Sequence, residues 1–216
     1  RAGREADAVA TSVPIRPFYY PLAQTVAALL TDTASLEFVL DDDVDAARSS
    51  LEITLGTSPL AAIAGARREL RVYPYLCTEQ IASTLLPLIA LYRAGLEHGS
   101  GGTDAELERM RREIESGVRT LARRQRPDGG IGYWGVDGWS TPWLSAYAGR
   151  VLLEARAAGV AVEDSVLERL AGYLDESLRR QDTYRIAVSR WLEDTSSRLA
   201  ERVAAVDFLS RYGRPA

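Results

Sequence analysis

Cys77 is the only cysteine in the 216-residue chain, and Gln80 follows three positions later in the run Cys77-Thr78-Glu79-Gln80. On one helical turn, residues i and i+3 face each other. The Cys77 thiol can therefore add to the carboxamide carbon of Gln80 and expel ammonia, leaving an internal thioester. The spacing also allows a plainer role, because free cysteine is among the most buried residue types and Cys-x-x-Gln alone asks for no more than a structural thiol.

The flanking residues bear on that choice. Tyr73, Pro74 and Tyr75 precede the cysteine in a conformationally restricted, extended segment. Glu79 and Gln80 then open an amphipathic helix carrying Leu85, Leu86, Leu88 and Ile89. An electrophile that water slowly destroys needs shielding, and tyrosines supply apolar bulk with a polar end.

The elements that must position this pair change character near residue 57. Short β-branched and aromatic runs, Val9 to Tyr20, Thr25 to Leu30, Leu36 to Leu40 and Ser49 to Leu55, come first, separated by prolines and by Asp41-Asp42-Asp43. Leu51, Ile53 and Leu55 alternate with Glu52 and Thr54, the pattern of a half-buried strand. After Gly56-Thr57-Ser58-Pro59 the period is helical. Helices are expected from Pro59 to about Val72, from near Cys77 to about Glu97, and after a cap at Thr103 or Asp104, with Leu107, Met110, Ile114, Val118 and Leu121 on one face. Three more are expected over Pro142 to Ala158, Glu163 to Arg179 and Thr195 to Tyr212, with a short helical turn around Ile186 to Trp191. The result is a mainly α chain of antiparallel helical hairpins behind a few β-strands.

A glycine-rich block interrupts the helices. Gln125-Arg126-Pro127-Asp128-Gly129-Gly130 leads into Ile131-Gly132-Tyr133-Trp134-Gly135, where glycines permit positive φ and close backbone approach. Similar Gln-x-x-x-Gly-x-Trp-like turns join helices in α/α toroids and fasten one hairpin to the next.

Composition is that of ordinary globular material, 46% hydrophobic and 26% charged with a formal net charge of −4. All 26 basic residues are arginine, and they are interspersed with acids rather than gathered for a polyanion. No apolar run approaches the ~20 residues needed to span a bilayer. No ligand set for zinc, phosphate-cradling loop or basic groove stands out. The chain begins with Arg1 and its one methionine is Met110, so it reads as an internal piece of a longer protein.

Tyr73-Pro74-Tyr75-Leu76-Cys77-Thr78-Glu79-Gln80, followed by Ser83 and Leu85-Leu86-Pro87, resembles the thioester motif of the alpha-2-macroglobulin and complement family, in particular its bacterial branch. The block from Gln125 to Trp134, followed by Pro142-Trp143-Leu144-Ser145-Ala146-Tyr147, resembles the turn and next toroid helix of the same family. The resemblance spans residues 60 to 180. It implies a β-sandwich (CUB-like) segment over residues 1–57 and, over 58–216, about the first half of an α/α toroid bearing the thioester. It also implies a single-use protease trap of the bacterial cell envelope or periplasm, in which Cys77 and Gln80 form the cross-link and an amine of the target protease attacks the Gln80 acyl carbon. Tyr73, Pro74, Tyr75, Glu79, Trp134, Trp143 and Tyr147 are then the motif and shielding residues. The partners implied are target proteases and the remaining domains of the parent chain, with no cofactor, catalytic turnover, nucleic acid or small-molecule substrate.

Two departures from the family qualify this expectation. Leu76 and Thr78 replace glycines found around the cysteine in many animal members. The segment Gly135-Val136-Asp137-Gly138-Trp139-Ser140 lacks the histidine by which some complement proteins direct the acyl group to hydroxyls, and the chain's one histidine, His98, reads as a solvated helix end. Amines are therefore expected over hydroxyls. The competing readings are a terpenoid cyclase or prenyltransferase-like toroid using Asp41-Asp42-Asp43 with Asp45, a toroid whose Cys77 never bonds to Gln80, and a Cys-His hydrolase built on His98.

Overall fold

The apolar residues at steps of three and four become the buried faces of five α-helices: α1 (Thr78–His98), α2 (Asp104–Arg123), α3 (Pro142–Ala157), α4 (Asp164–Arg179) and α5 (Thr195–Tyr212). The computed structural model describes residues 10–13, 20, 22, 24, 26, 28, 31–33, 35, 37, 39, 41–53, 55–56, 76–98, 103–179 and 195–214. The helix expected over 59–72 and the turn around 186–191 lie outside the described residues, as do large parts of the runs at 9–20, 25–30 and 36–40.

The chain divides into two units, Arg1–Leu51 and Glu52–Ala216. Among the described residues of the first, the regular element is a 3-10 turn, Ala46–Arg48, capped by Asp45, whose carboxylate accepts the Ala47 N–H at 3.1 Å. Asp41, Asp42 and Asp43 are exposed in a turn closed by the Val44 N–H on the Asp41 carbonyl at 3.0 Å. No strand ladder runs through the described residues up to 56. Leu51, Ile53 and Leu55 are 67%, 72% and 81% exposed, so their alternation meets no covering face there.

In the helical unit, caps fix the start of α2 and both ends of α3. Glu106 reaches back to the Thr103 N–H at 2.7 Å ahead of α2. Thr141 accepts the Leu144 N–H at 3.0 Å with Pro142 in the first helical position of α3. α3 stops in a Schellman motif, with Gly159 at φ 81° and N–H bonds from Gly159 to Arg156 O and from Val160 to Ala155 O, both 3.0 Å.

α3 is the central helix and packs against each of the other four, while α1 pairs with α2 and α4 with α5. Its small residues allow this. A Cβ added at Gly149 would lie 2.6 Å from both Leu170 Cδ2 and Phe208 Cε2, so α4 and α5 converge over that glycine. Leu88, Ile114, Leu121, Leu152, Leu167, Leu170, Leu174, Phe208 and Leu209 are each under 2% exposed. Each contributes roughly 1.5–3 kcal/mol of burial. No helix among the described residues is long and apolar enough to cross a membrane, and no cluster of three or more His, Cys, Asp or Glu there could hold a metal ion.

One polar residue of α5 runs against this packing. Burial pushes the Glu201 carboxyl from its ordinary value of 4.5 up to about 7. A folded-state pKa raised above the unfolded one gives stability that is present below pH 4.5 and is lost as pH rises to about 7. Solvent reaches part of the group, so the loss is on the order of 1 kcal/mol. Urea melts should show stability declining over that pH window, and Glu201→Gln should flatten the decline. An unchanged slope in Glu201→Gln would exclude this carboxyl as the source.

Candidate functional site

Cys77 sits immediately before α1, 1% exposed, and Gln80 occupies the first turn. The two residues bond to each other twice. The Cys77 N–H donates to Gln80 Oε1 at 3.2 Å, and the Gln80 N–H points at Cys77 Sγ at 3.5 Å. The side-chain amide of Gln80 is thus folded back onto the cysteine rather than into solvent. Chemically, the first bond matters more. If the sulfur adds to the carboxamide carbon, negative charge develops on Oε1, where a backbone N–H already points, as in an oxyanion hole.

Thr78 and Arg124 pin this turn to the glycine-rich loop. Thr78 is fully buried, its N–H donates to Tyr133 O at 2.8 Å, and its hydroxyl donates to Gly132 O at 2.6 Å. Arg124, just beyond α2, forks across the junction. Its Nη1 donates to Thr78 Oγ1 at 3.0 Å and Tyr133 O at 3.3 Å, and its Nη2 to Leu76 O at 2.6 Å. Burial lowers the Arg124 pKa, and the charge of an ionised Cys77 sulfur opposes that shift. A thiolate leaving group at Cys77 would therefore form beside a guanidinium cation.

The loop is itself fastened at both ends. Gln125 and Ile131 form an isolated antiparallel bridge, and Gln125 Nε2 donates to Gly129 O at 3.0 Å and to Val166 O at 2.9 Å, tying the loop to α4. That is the hairpin-fastening role its sequence suggested. Ser145, fully buried on α3, accepts the Ile131 N–H at 2.9 Å and shares a 2.8 Å hydrogen bond with Ser140. The Tyr133 N–H bonds to Trp139 O at 2.8 Å, and the two rings stack with centroids 4.3 Å apart.

The other expected site residues distribute unevenly. Glu79 accepts the Ser83 hydroxyl at 2.7 Å, and Ser83 also meets the Tyr147 hydroxyl at 3.0 Å, so Glu79 and Tyr147 join the first turns of α1. Trp143 stacks on Tyr147 at 5.7 Å and is 43% exposed; Trp134 packs edge-on to Tyr133 at 5.2 Å and is 55% exposed. Among the described residues their ring contacts are to those tyrosines. Tyr73, Pro74 and Tyr75 lie outside the described residues, as does the side chain of His98. Thr78 and Ser145 stand in the motif runs without a role that sequence assigns them, and Arg124 stands outside those runs. The one available signal was that Arg124 directly precedes the Gln125 block.

No protein-family model matches the chain. Among curated proteins it is 33% identical over 129 residues to an alpha-2-macroglobulin of Escherichia coli K12, a match covering 58% of this chain and 8% of that protein. A crystal structure of Salmonella alpha-2-macroglobulin reacted with methylamine superposes with a TM-score of 0.61 at 31% identity, over 71% of this chain and 10% of that one. Trypsin-activated alpha-2-macroglobulin from Escherichia coli superposes with a TM-score of 0.54 at 28% identity, over 67% of this chain and 10% of that one. The chain thus spans a tenth or less of the length of these relatives.

Proposed function

Because the chain belongs to the bacterial alpha-2-macroglobulin family, a family of protease inhibitors, we propose that it is the thioester-bearing part of such an inhibitor and captures attacking proteases covalently. The reciprocal bonding of Cys77 and Gln80 at the start of α1 carries this reading. Closure forms a bond from Sγ to the Gln80 acyl carbon, breaks the C–N bond, and releases ammonia with the thiol proton. In capture, a neutral amine of the target adds to the acyl carbon and the C–S bond breaks. Cys77 departs as a thiolate beside Arg124 and takes up the proton the amine sheds. Each molecule reacts once, so this is capture without turnover.

Two further observations support the reading. The chain contains no lysine, so none of its own residues offers an ε-amine to the electrophile. Cys77 is almost fully buried, which keeps bulk water from a thioester at that position. On this proposal residues 1–57 contribute to a β-sandwich domain and 58–216 to an α/α toroid, the partners are proteases and the remaining domains of the parent protein, and the setting is extracytoplasmic, in the periplasm or cell envelope. A relative crystallised after reaction with methylamine and another activated by trypsin accord with amine chemistry and protease targets.

Intact-mass measurement tests the proposal. The chain should be lighter than its sequence by one ammonia, methylamine should add to it with exposure of one thiol, and glycerol should not. Gln80→Glu should abolish both the deficit and the methylamine adduct. A full sequence mass with a Cys77 that never closes, in this chain and in the full-length parent, would leave a structural helical array in its place.

A further inference from the structure

The loop from 125 to 141, the start of α3 and the first turns of α5 enclose a cavity of about 300 Å³, the small end of the range for ligand pockets. Its walls are mostly aromatic and apolar, from Tyr133, Trp139, Trp143 and Leu144. Tyr133 and Trp139 stack as one slab, and Trp143 is itself backed by Tyr147. Glu201 is the one carboxylate on the lining, and no basic side chain shares the lining with it among the described residues. Desolvation accounts for the shift of its carboxyl toward 7, and among the described residues no cation compensates it.

A carboxylate held in an aromatic recess without a counter-ion costs stability, and that cost is relieved by a cation entering the recess. Aromatic faces attract a desolvated cation through their quadrupole, and the carboxylate supplies the opposite charge. The chain's own cations are all guanidinium groups, 26 basic residues with no lysine, and among the described residues none of them lines the cavity.

The cavity is also built into the Cys77 turn. The backbone of Tyr133, whose ring forms one wall, accepts the Thr78 N–H at 2.8 Å. Trp143, on another wall, stacks on Tyr147, whose hydroxyl meets Ser83 one turn beyond Gln80. We propose that this cavity is a binding site for an alkylammonium group, held between the aromatic walls and Glu201. Resting on the thioester reading, it docks a lysine side chain of a target protease as its ammonium, which leaves the recess and gives up its proton to solvent before the neutral amine adds at Gln80.

The binding half of this proposal is testable without the thioester. The Cys77→Ser chain cannot form one, and tryptophan fluorescence reports on Trp139 and Trp143. At a pH above the Glu201 carboxyl's value, n-butylammonium should bind saturably. Glu201→Gln should weaken it about tenfold or more, as expected for loss of a close charge partner. Trp143→Leu should weaken it severalfold through loss of a cation–π face, and its unchanged thermal melt would exclude misfolding. n-Butanol should not compete. Equal binding of n-butanol would reduce the cavity to an apolar cleft, tighter binding of propylguanidinium would reassign it to guanidinium, and saturation indifferent to Glu201→Gln would overturn the proposal. Failure of methylamine to react with the unmodified chain would sink the thioester reading and leave these binding results standing.

Discussion

Arg124→Gln, made in a Gln80→Glu background that cannot close a thioester, is expected to raise the alkylation rate of Cys77 by iodoacetamide about a hundredfold. Cys77 is 1% exposed, so a reagent reaches it when the turn opens locally. Arg124 resists that opening through three acceptors on both sides of the junction, Leu76 O, Thr78 Oγ1 and Tyr133 O. Hydrogen bonds from a charged donor contribute ~1.5–3 kcal/mol each, and the orphaned carbonyls add to the loss. Glutamine is too short to span the fork, and loss of the guanidinium lowers the cost of local opening by about 3 kcal/mol, which corresponds to the hundredfold. Arg124→Lys keeps the charge and not the planar geometry, so it should recover less than half of the protection in free-energy terms. In the Gln80-bearing chain the same Arg124→Gln change should slow thioester closure, because the Cys77 N–H and Gln80 Oε1 lose their fixed register. An alkylation rate within twofold of the parent would show that α1 and the loop hold Cys77 unaided.

What the sequence revealed about this site follows from how far apart its partners lie. Cys77 and Gln80 are neighbours on a helical turn, and a local spacing argument is enough to bring them together. The same locality made the helices readable: α5 runs from Thr195 to Tyr212 as its pattern predicts, α1, α3 and α4 begin and end within a residue of their expected bounds, and α2 begins at its expected cap. Arg124 and Thr78 are 46 positions apart, and Ser83 and Tyr147 are 64 apart. No periodicity connects such residues, because their meeting depends on how α2 and α3 stack on α1. Glu201 is harder still. On α5 it reads as one more charged residue of a helix surface, and its environment comes from Trp139 and Trp143 on other segments. Trp143, one of the aromatics expected to shield the thioester, stands in the cavity wall and against Tyr147, contacts that depend on tertiary packing and not on local spacing. The alternation at Leu51, Ile53 and Leu55 shows the converse limit, since a strand pattern becomes a strand only when another strand pairs with it.

A large loss of stability from a single methyl group is expected at Gly129, with Gly159 as its control. Both residues have positive φ, 93° and 81°, so alanine at either carries the left-handed penalty of about 1–2 kcal/mol. Their surroundings separate them. A Cβ at Gly159 meets nothing within 4 Å, whereas one at Gly129 would lie 2.3 Å from the carbonyl oxygen of Arg169, a backbone atom inside α4. A side chain could rotate away from that methyl, but a helical carbonyl cannot. The loop must therefore lift from α4, and lifting breaks the bonds of Gln125 Nε2 to Gly129 O and Val166 O, leaving buried polar groups unpaired. Gly159→Ala should cost about 1 kcal/mol and Gly129→Ala at least 3 kcal/mol, measured by urea denaturation. The second change should also reach the chemistry, because the lifted loop carries the Gly132 and Tyr133 carbonyls that hold Thr78. Cys77 alkylation in the Gln80→Glu background should thus accelerate in Gly129→Ala and stay unchanged in Gly159→Ala. Equal unfolding costs for the two alanines would mean that α4 yields to the methyl, and equal alkylation rates would mean that the loop moves without loosening the Cys77 turn.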